Sequence, residues 1–322
     1  MSRLRGNDPC WCASGRKLKR CHGDFASRQR SPVRCGTVSA PRDVPASIAR
    51  PPYVAAGGWP TGDRGLQILR GAQVDRMRHA GRVAAEVLLE TGAAVAPGVT
   101  TDQLDAIAHD AYLRRGAYPS TLHYKGFTKS ICTSVNEVVC HGIPDDRPLV
   151  EGDIVNIDVT AYIDGMHGDT SATFAVGQID EPTIALVDAT RRATLLGVGV
   201  VAPGRSMREI GATIEQFAQR RGLGVVRDYG GHGIGQVFHA EPHVFHIDER
   251  RASLPMVPGM AFTIEPMLCA GSHHHHDEVD GWTVVADDLL PSAQFEHTVV
   301  VTEEGVEIIT VDADGGSAVG VL

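Results

Sequence analysis

Regular patterning begins near residue 73. Apolar side chains at Val74, Met77, Ala80, Ala84, Val87 and Leu88 recur every three or four positions, which predicts a helix over residues 73–95. Pro97-Gly98 breaks it. Thr100-Thr101-Asp102 supplies N-cap oxygens for a second helix, through Leu104, Ile107 and Ala108 to about Arg115. From about Ser130 to Val176 the period shortens toward two and β-branched residues accumulate, as in strands. Two more helices are expected over 181–201 and 206–221, and strands from there to about residue 311. Residues 31–65 lack this periodicity. Rich in proline and glycine, they read as a linker or as an extended arm lying on the body.

The order contains an echo. Ala96-Pro97-Gly98 joins the first pair of helices, Ala202-Pro203-Gly204 joins the second, and strands follow each pair. Two facing halves of an α+β fold would place a site between them. Chance recurrence of the tripeptide is the plain alternative.

Within the first strand region, Ile154 to Tyr162 alternates apolar and polar residues, and Asp164-Gly165 is a two-residue hairpin signal. That turn sets a register in which residue 163 faces 166, 160 faces 169 and 158 faces 171. Asp158 and Asp169 then share one face of the sheet as diagonal neighbours, about 7–8 Å apart.

These aspartates belong to a wider set. Val155–Val159, His167–Thr170, Gly231–Gly235, Thr263–Met267 and Gln294–Thr298 each carry a metal-seeking side chain among β-forming or glycine-rich neighbours: Asp158, Asp169, His232, Glu265 and Glu296. A lone carboxylate in a strand usually points to solvent, and a lone histidine between glycines is usually a loop residue. Four acids and an imidazole, each set among apolar or glycine neighbours, argue otherwise, because four carboxylates cancel the charge of two divalent cations. His239 follows His232 by seven positions, and His141 stands in Cys140-His141-Gly142-Ile143-Pro144; both are candidates for the same centre.

Composition narrows the setting. The apolar (43%) and charged (21%) fractions are those of a globular protein, and no stretch reaches the length of a spanning helix. Neither a secretory leader nor a membrane or DNA partner is expected. Three of seven cysteines fall in the first 21 residues, which suggests a reducing compartment, the cytoplasm, and cysteines that hold metal. Residues 1–35 carry nine Lys/Arg against two Asp, a balance of +7, so the remainder carries −16 of the total −9. A basic head on an acidic body fits contact with an anionic surface, or simply a solvated tail.

The five islands, together with Thr133-Ser134-Val135-Asn136-Glu137-Val138-Val139-Cys140-His141-Gly142-Ile143-Pro144, make residues 66–312 resemble the type I methionine aminopeptidases. The resemblance implies the pita-bread fold of two pseudo-symmetric halves, in a monomer. It implies two divalent ions (cobalt, manganese, iron or zinc) on Asp158, Asp169, His232, Glu265 and Glu296, with Asp169 and Glu296 bridging. It implies that Glu265 moves the proton, that His141 and His239 contact the substrate, and that Tyr124, Phe127, Cys132, Phe238 and Trp282 wall a methionine pocket. For each aromatic, ordinary core packing is the competing reading. Two positions depart from the family pattern: Thr128, where proline is usual, and Lys125, where many bacterial members carry histidine. The implied function is removal of the initiator methionine from nascent chains whose second residue is small. Prolidases share fold and ligands but usually carry a large N-terminal domain, and non-catalytic relatives typically lose ligands that are all present here.

The first block, Cys10, Cys12, Cys21 and His22 in Cys-x-Cys-x8-Cys-His, offers a closed zinc set. It resembles the SEC-C motif, with Ala13 where glycine is usual, so residues 1–24 are expected to hold one structural zinc and, being basic, to touch the ribosome. Residues 25–65 are the linker or arm, and 313–322 a flexible tail. His273–His276 reads as an exposed loop with incidental metal affinity, or as a metal-acquisition antenna.

Overall fold

The computed structural model describes Lys17 and residues 35–322. The expected zinc ligands Cys10, Cys12, Cys21 and His22 lie outside the described residues. Helices α1 (Pro52–Ala55), α2 (Ala72–Gly92) and α3 (Thr101–Arg114) come first. Strands β1 (Tyr118–Pro119), β2 (Cys132–Val135), β3 (Val138–Cys140), β4 (Ile154–Ile163) and β5 (Met166–Ala175) complete the first half. The second half has α4 (Glu181–Gly199), α5 (Arg208–Gln219), then β6 (Gly224–Val225), β7 (Gly231–Gly233), β8 (Ala240–Val244), β9 (Ala261–Ile264) and β10 (Met267–Cys269). It ends with β11 (His275–Asp277), β12 (Val284–Ala286), β13 (Ser292–Gln294), β14 (His297–Val301) and β15 (Val306–Ile308).

Helices α2 to α5 fall within three residues of their predicted ends, and α1 stands in the stretch read as a linker or arm. Thr100 caps α3 in a reciprocal capping box with Gln103, satisfying backbone N–H groups that have no intrahelical partner. The tripeptide echo is structural. After each Ala-Pro-Gly turn the chain makes the same return contact: Gly98 N donates to Leu149 O (2.7 Å) and Gly204 N to Met256 O (2.8 Å). Bridges Thr100–Pro148 and Ser206–Pro255 then sit at matching positions. The molecule is an α+β pita-bread fold of two similar halves.

The β4–β5 hairpin has the expected register, with Ile163 opposite Met166, Thr160 opposite Asp169 and Asp158 opposite Ser171. Asp164 (φ 53°) and Gly165 (φ 77°) both take left-handed backbone, which a two-residue hairpin turn of matching twist requires. The other edge of β4 is shared by β2 and β1. Helices α2 and α3 cover this sheet, and Val87, Leu88, Leu104, Tyr112, Val155 and Ile157 form its buried core. Strands β15-β14-β9-β7-β8 make the sheet of the second half.

The two sheets meet at the acids. Ser171 bridges Glu296, Asp169 N donates to Thr298 Oγ1 (3.1 Å), and Thr170 Oγ1 donates to Glu296 O (2.7 Å). The fold itself thus brings Asp169 and Glu296 to one seam.

Residues 35–65 form an arm on the body. Val44 and Ile48 are buried against Tyr118, Leu122 and Tyr162, and Tyr53 of α1 is buried as well. The tail is a correction. Expected to be flexible, the end of the chain returns to the first half, where Val319 is fully buried among the α2–α3 core and Gly320 O accepts from His297 Nε2 (2.7 Å). Of the apolar residues there, Val321 and Leu322 stay exposed and Val319 is the anchor.

Candidate active site

Each acid of the site reaches the seam on a strand or its end. Asp158 and Asp169 come from the hairpin, Glu265 follows β9, and Glu296 precedes β14. His232 is the centre of β7, which threads between β8 and β9. A Cβ on Gly231 would lie 2.1 Å from Thr263 O, and one on Gly233 2.0 Å from Glu241 O, so only glycine on both sides lets this strand pass. That packing need explains the Gly-His-Gly string.

The centre is compact. His232 Nε2 lies 3.7 Å from Asp169 Oδ2 and 3.7 Å from Glu265 Oε1. Ligand atoms of Asp169, His232 and Glu296 all fall within 4.8 Å of one another. His232 Nδ1 faces Gly233 O (3.2 Å), so a proton there leaves the Nε2 lone pair directed at the acids. Neighbouring side chains aim the carboxylates. Thr160 Oγ1 donates to Asp169 Oδ1 (2.8 Å), Thr263 Oγ1 to Glu265 Oε1 (2.8 Å) and Gln294 Nε2 to Glu265 Oε2 (3.1 Å). His246 Nε2 accepts from Glu265 N (3.1 Å).

Electrostatically the set is incomplete. Burial lifts the Asp158 carboxyl to about 7, and burial together with the Asp158 charge lifts Glu265 to about 8 against the hydrogen bonds of Thr263 and Gln294. Asp169 and Glu296 are also pushed well up, by burial and by the other carboxylates. Burial holds His232 near 4, hence neutral. Glu296 Oε1 is buried with no hydrogen-bond partner. Four crowded acids, a neutral imidazole and an orphaned carboxylate oxygen are a donor set that fits divalent cations.

The acids floor a cavity of about 580 Å³. Every position proposed from sequence for substrate contact lines it: Tyr124, Phe127, Cys132, His141, Phe238, His239 and Trp282. Phe127 meets Trp282 edge-on at 5.0 Å, and Tyr124 meets Phe238 at 4.9 Å. Cys132 pairs with Asp158 across β2–β4, which turns its thiol toward the floor. His239 Nδ1 lies 3.0 Å from Tyr124 Oη. Burial keeps His141 near 4 and His239 well below the usual imidazole range, so both rings are neutral.

Other residues of the site escaped sequence reasoning. Tyr229 and Met267 line the cavity, Tyr229 with its ring edge toward His141 (5.4 Å) and its hydroxyl donating to Asp277 (3.1 Å). Thr160, Thr263, His246 and Gln294 support the acids from behind. Thr263, Met267 and Gln294 stand inside two of the islands and Thr160 directly follows another, and that was the available signal for them. None existed for Tyr229 or His246.

Comparisons with known proteins agree with this geometry. The family model of metallopeptidase family M24 matches residues 75–303, and that of the SEC-C motif matches residues 7–24. The chain is 52% identical over 283 residues to methionine aminopeptidase 2 of Mycobacterium tuberculosis, covering 87% of this chain and 98% of that protein. It is 46% identical to the chloroplastic/mitochondrial methionine aminopeptidase 1D of Arabidopsis thaliana, covering 91% and 83%. Among solved structures, methionine aminopeptidase from Rickettsia prowazekii superposes with a TM-score of 0.75 at 45% identity, covering 76% of this chain and all of that one. A prolidase from Pyrococcus furiosus shares the fold at a TM-score of 0.61 and 19% identity, with 65% of its own length covered.

Proposed function

The chain belongs to metallopeptidase family M24 and, within it, to the methionine aminopeptidases, and from that membership we propose how its residues perform the reaction. It hydrolyses the first peptide bond of proteins and releases the initiator methionine. The observation that carries the mechanism is the acid floor: four carboxylates crowded at the base of an aromatic cavity, with no Lys or Arg paired to them among the described residues.

Asp158, Asp169, His232, Glu265 and Glu296 would hold two divalent ions. Cobalt, manganese, iron and zinc all suit these donors. When bound, the ions supply activation of a water as nucleophile and polarisation of the scissile carbonyl. The water oxygen bonds to the carbonyl carbon while Glu265 takes a proton, and the C–N bond then breaks as Glu265 returns that proton to the leaving amine. Tyr124 Oη–H donating to His239 Nδ1 leaves the ring proton on Nε2, an N–H donor for the carbonyl oxygen as it becomes negative. His141 faces the same space and contacts the substrate. Phe127, Trp282, Phe238, Cys132 and Met267 receive the methionine side chain, whose thioether packs well on aromatic rings.

The remaining parts of the reading concern setting. The enzyme acts on nascent chains with a small second residue, in the cytoplasm, as a monomer. The block around Cys10, Cys12, Cys21 and His22 holds one zinc, and its positive charge favours the ribosome. Co-sedimentation with ribosomes should be lost on deleting residues 1–30, and undiminished binding would sink that part.

The catalytic reading is tested by giving the metal-loaded enzyme Met-Gly-Met and an X-Pro dipeptide. Methionine release from the first with the second intact is expected. Cleavage of X-Pro alone would make it a prolidase.

A further inference from the structure

The arm before the M24 domain reaches the catalytic histidine. Tyr53, on α1, is 4% exposed, and its hydroxyl donates to Ser120 O (2.5 Å). Its ring meets Tyr124 edge-on, with centroids 5.1 Å apart and planes at 80°. Tyr124 in turn holds His239 twice, by the hydroxyl contact at Nδ1 and by stacking at 5.2 Å. An unbroken line of packed groups therefore runs from the arm to a ring on the cavity wall.

The Tyr124 loop needs holding. His123 (φ 66°) and Lys125 (φ 49°), on either side of Tyr124, both occupy left-handed backbone that residues with a Cβ seldom adopt. Such conformations persist where surrounding structure imposes them. The arm supplies part of that frame. Gly58 O accepts from Lys125 N (2.8 Å), and a Cβ on Gly58 would lie 2.3 Å from His123 O, so the arm approaches as closely as glycine permits. The same segment also grips the histidine's backbone, since Arg64 Nε donates to His239 O (3.0 Å) and Glu241 N to Arg64 O (2.8 Å).

None of these arm residues belongs to the catalytic domain proper. The M24 match starts at residue 75, and the Rickettsia enzyme is matched along its whole length by 76% of this chain. We propose that the arm completes the active site, with Tyr53 a positioning residue that acts through Tyr124 on the orientation of His239. The proposal rests on the assignment of His239 to the reaction, and the test separates the two.

The full-length, metal-loaded chain is assayed for methionine release as wild type, Y53A, H239A and the double variant. Y53A should lose at least tenfold in kcat while KM moves less than threefold and metal content stays constant. Y53F, which keeps the ring edge on Tyr124, should recover most of the loss. In the double variant the two losses should not multiply, because Tyr53 acts through His239. A purely structural role would lower the melting temperature and leave kcat per folded enzyme intact. A Y53A kcat within twofold of wild type, or losses that multiply, overturns the proposal. A normal kcat for H239A alone overturns the assignment beneath it, whatever Tyr53 does. Should Y53A fail to fold, Y53L keeps apolar bulk at the position and carries the same criteria.

Discussion

Around Lys129 the fold buries charge and answers it from its own chain, whereas around His232 it buries more charge and leaves it unanswered. Lys129 is fully buried, with Nζ 2.5 Å from both Asp102 Oδ1 and Ser39 Oγ. Arg42 pairs with Asp102 and Asp105 at 3.2 Å, and Ser130 N donates to Asp105 (2.7 Å). Burial works against the Asp102 charge, yet the hydrogen bonds and charges of Lys129, Ser39 and Arg42 outweigh it and its carboxyl sits below the ordinary range, while at the more deeply buried Asp105 burial still outweighs the same cations and the carboxyl is raised. Asp169 and Glu265 have hydroxyl or amide partners and Glu296 Oε1 has none, no Lys or Arg among the described residues pairs with the four acids, and all four are pushed up. The first cluster holds structure together by docking the arm on α3. The second is set up for a ligand.

The largest effect is expected at Glu265. Glu265→Ala should cut kcat/KM by about 10³-fold or more, the scale of losing a general acid–base group. It should leave the metal-free protein as stable as before or slightly more so, because it removes one of four mutually repelling acids. A large loss of metal-free stability would place Glu265 with the Lys129 kind of cluster.

Lys129→Met should behave in the opposite way. Breaking a buried pair strands its partner, which costs about 3–5 kcal/mol when both ions are buried. Asp102 keeps a quarter of its surface in water, so about 2–3 kcal/mol is expected, read as a shift in the urea midpoint. Activity per folded molecule should change far less than in Glu265→Ala.

The two clusters should also differ in pH dependence. An acid whose folded value is raised binds more protons folded than unfolded between its two values, so stability falls as pH rises through that window. For Asp158 the window ends near 7 and for Glu265 near 8. Metal-free protein should therefore lose stability from about pH 5 to 8, by at most about 1.4 kcal/mol per pH unit per group. Divalent cations need the deprotonated acids, so the melting-temperature gain on adding manganese should grow over the same range. A gain independent of pH would mean that the acids do not bind it.

The comparison also shows what a sequence can and cannot display. The acids are legible because an Asp or Glu inside an apolar strand conflicts with its surroundings, and the hairpin register is legible because period two and Asp164-Gly165 fix it locally. Lys129, Asp102 and Arg42 look like ordinary surface charges, since nothing nearby in sequence reveals that Asp102 will meet partners 27 and 60 positions away. Tyr53 is hidden for the same reason. Its partners Ser120 and Tyr124 lie 67 and 71 positions on, and it stands in a proline-rich stretch that carries no periodic signal. Long-range pairing, and not side-chain type, marks where reading failed.

The smallest effect is expected where the sequence looks most like a metal site. His273–His276 could be an antenna feeding the acid floor, yet its members are otherwise engaged. His276 Nδ1 lies 2.8 Å from Asp287, and His275 Nε2 lies 3.7 Å from Asp228 with its ring against Tyr229. Among the described residues, Asp169, His232 and Glu296 are the group whose ligand atoms converge; the run contributes none. Replacing the four histidines with serine should leave active-site metal content and the rate of metal uptake unchanged. KM should move about threefold at most, because loss of the His275 contact loosens Tyr229, whose hydroxyl stays on Asp277. Slower uptake at limiting metal would give the run a place in the chemistry after all, as a cluster that neither balances charge nor holds the catalytic ions but delivers them.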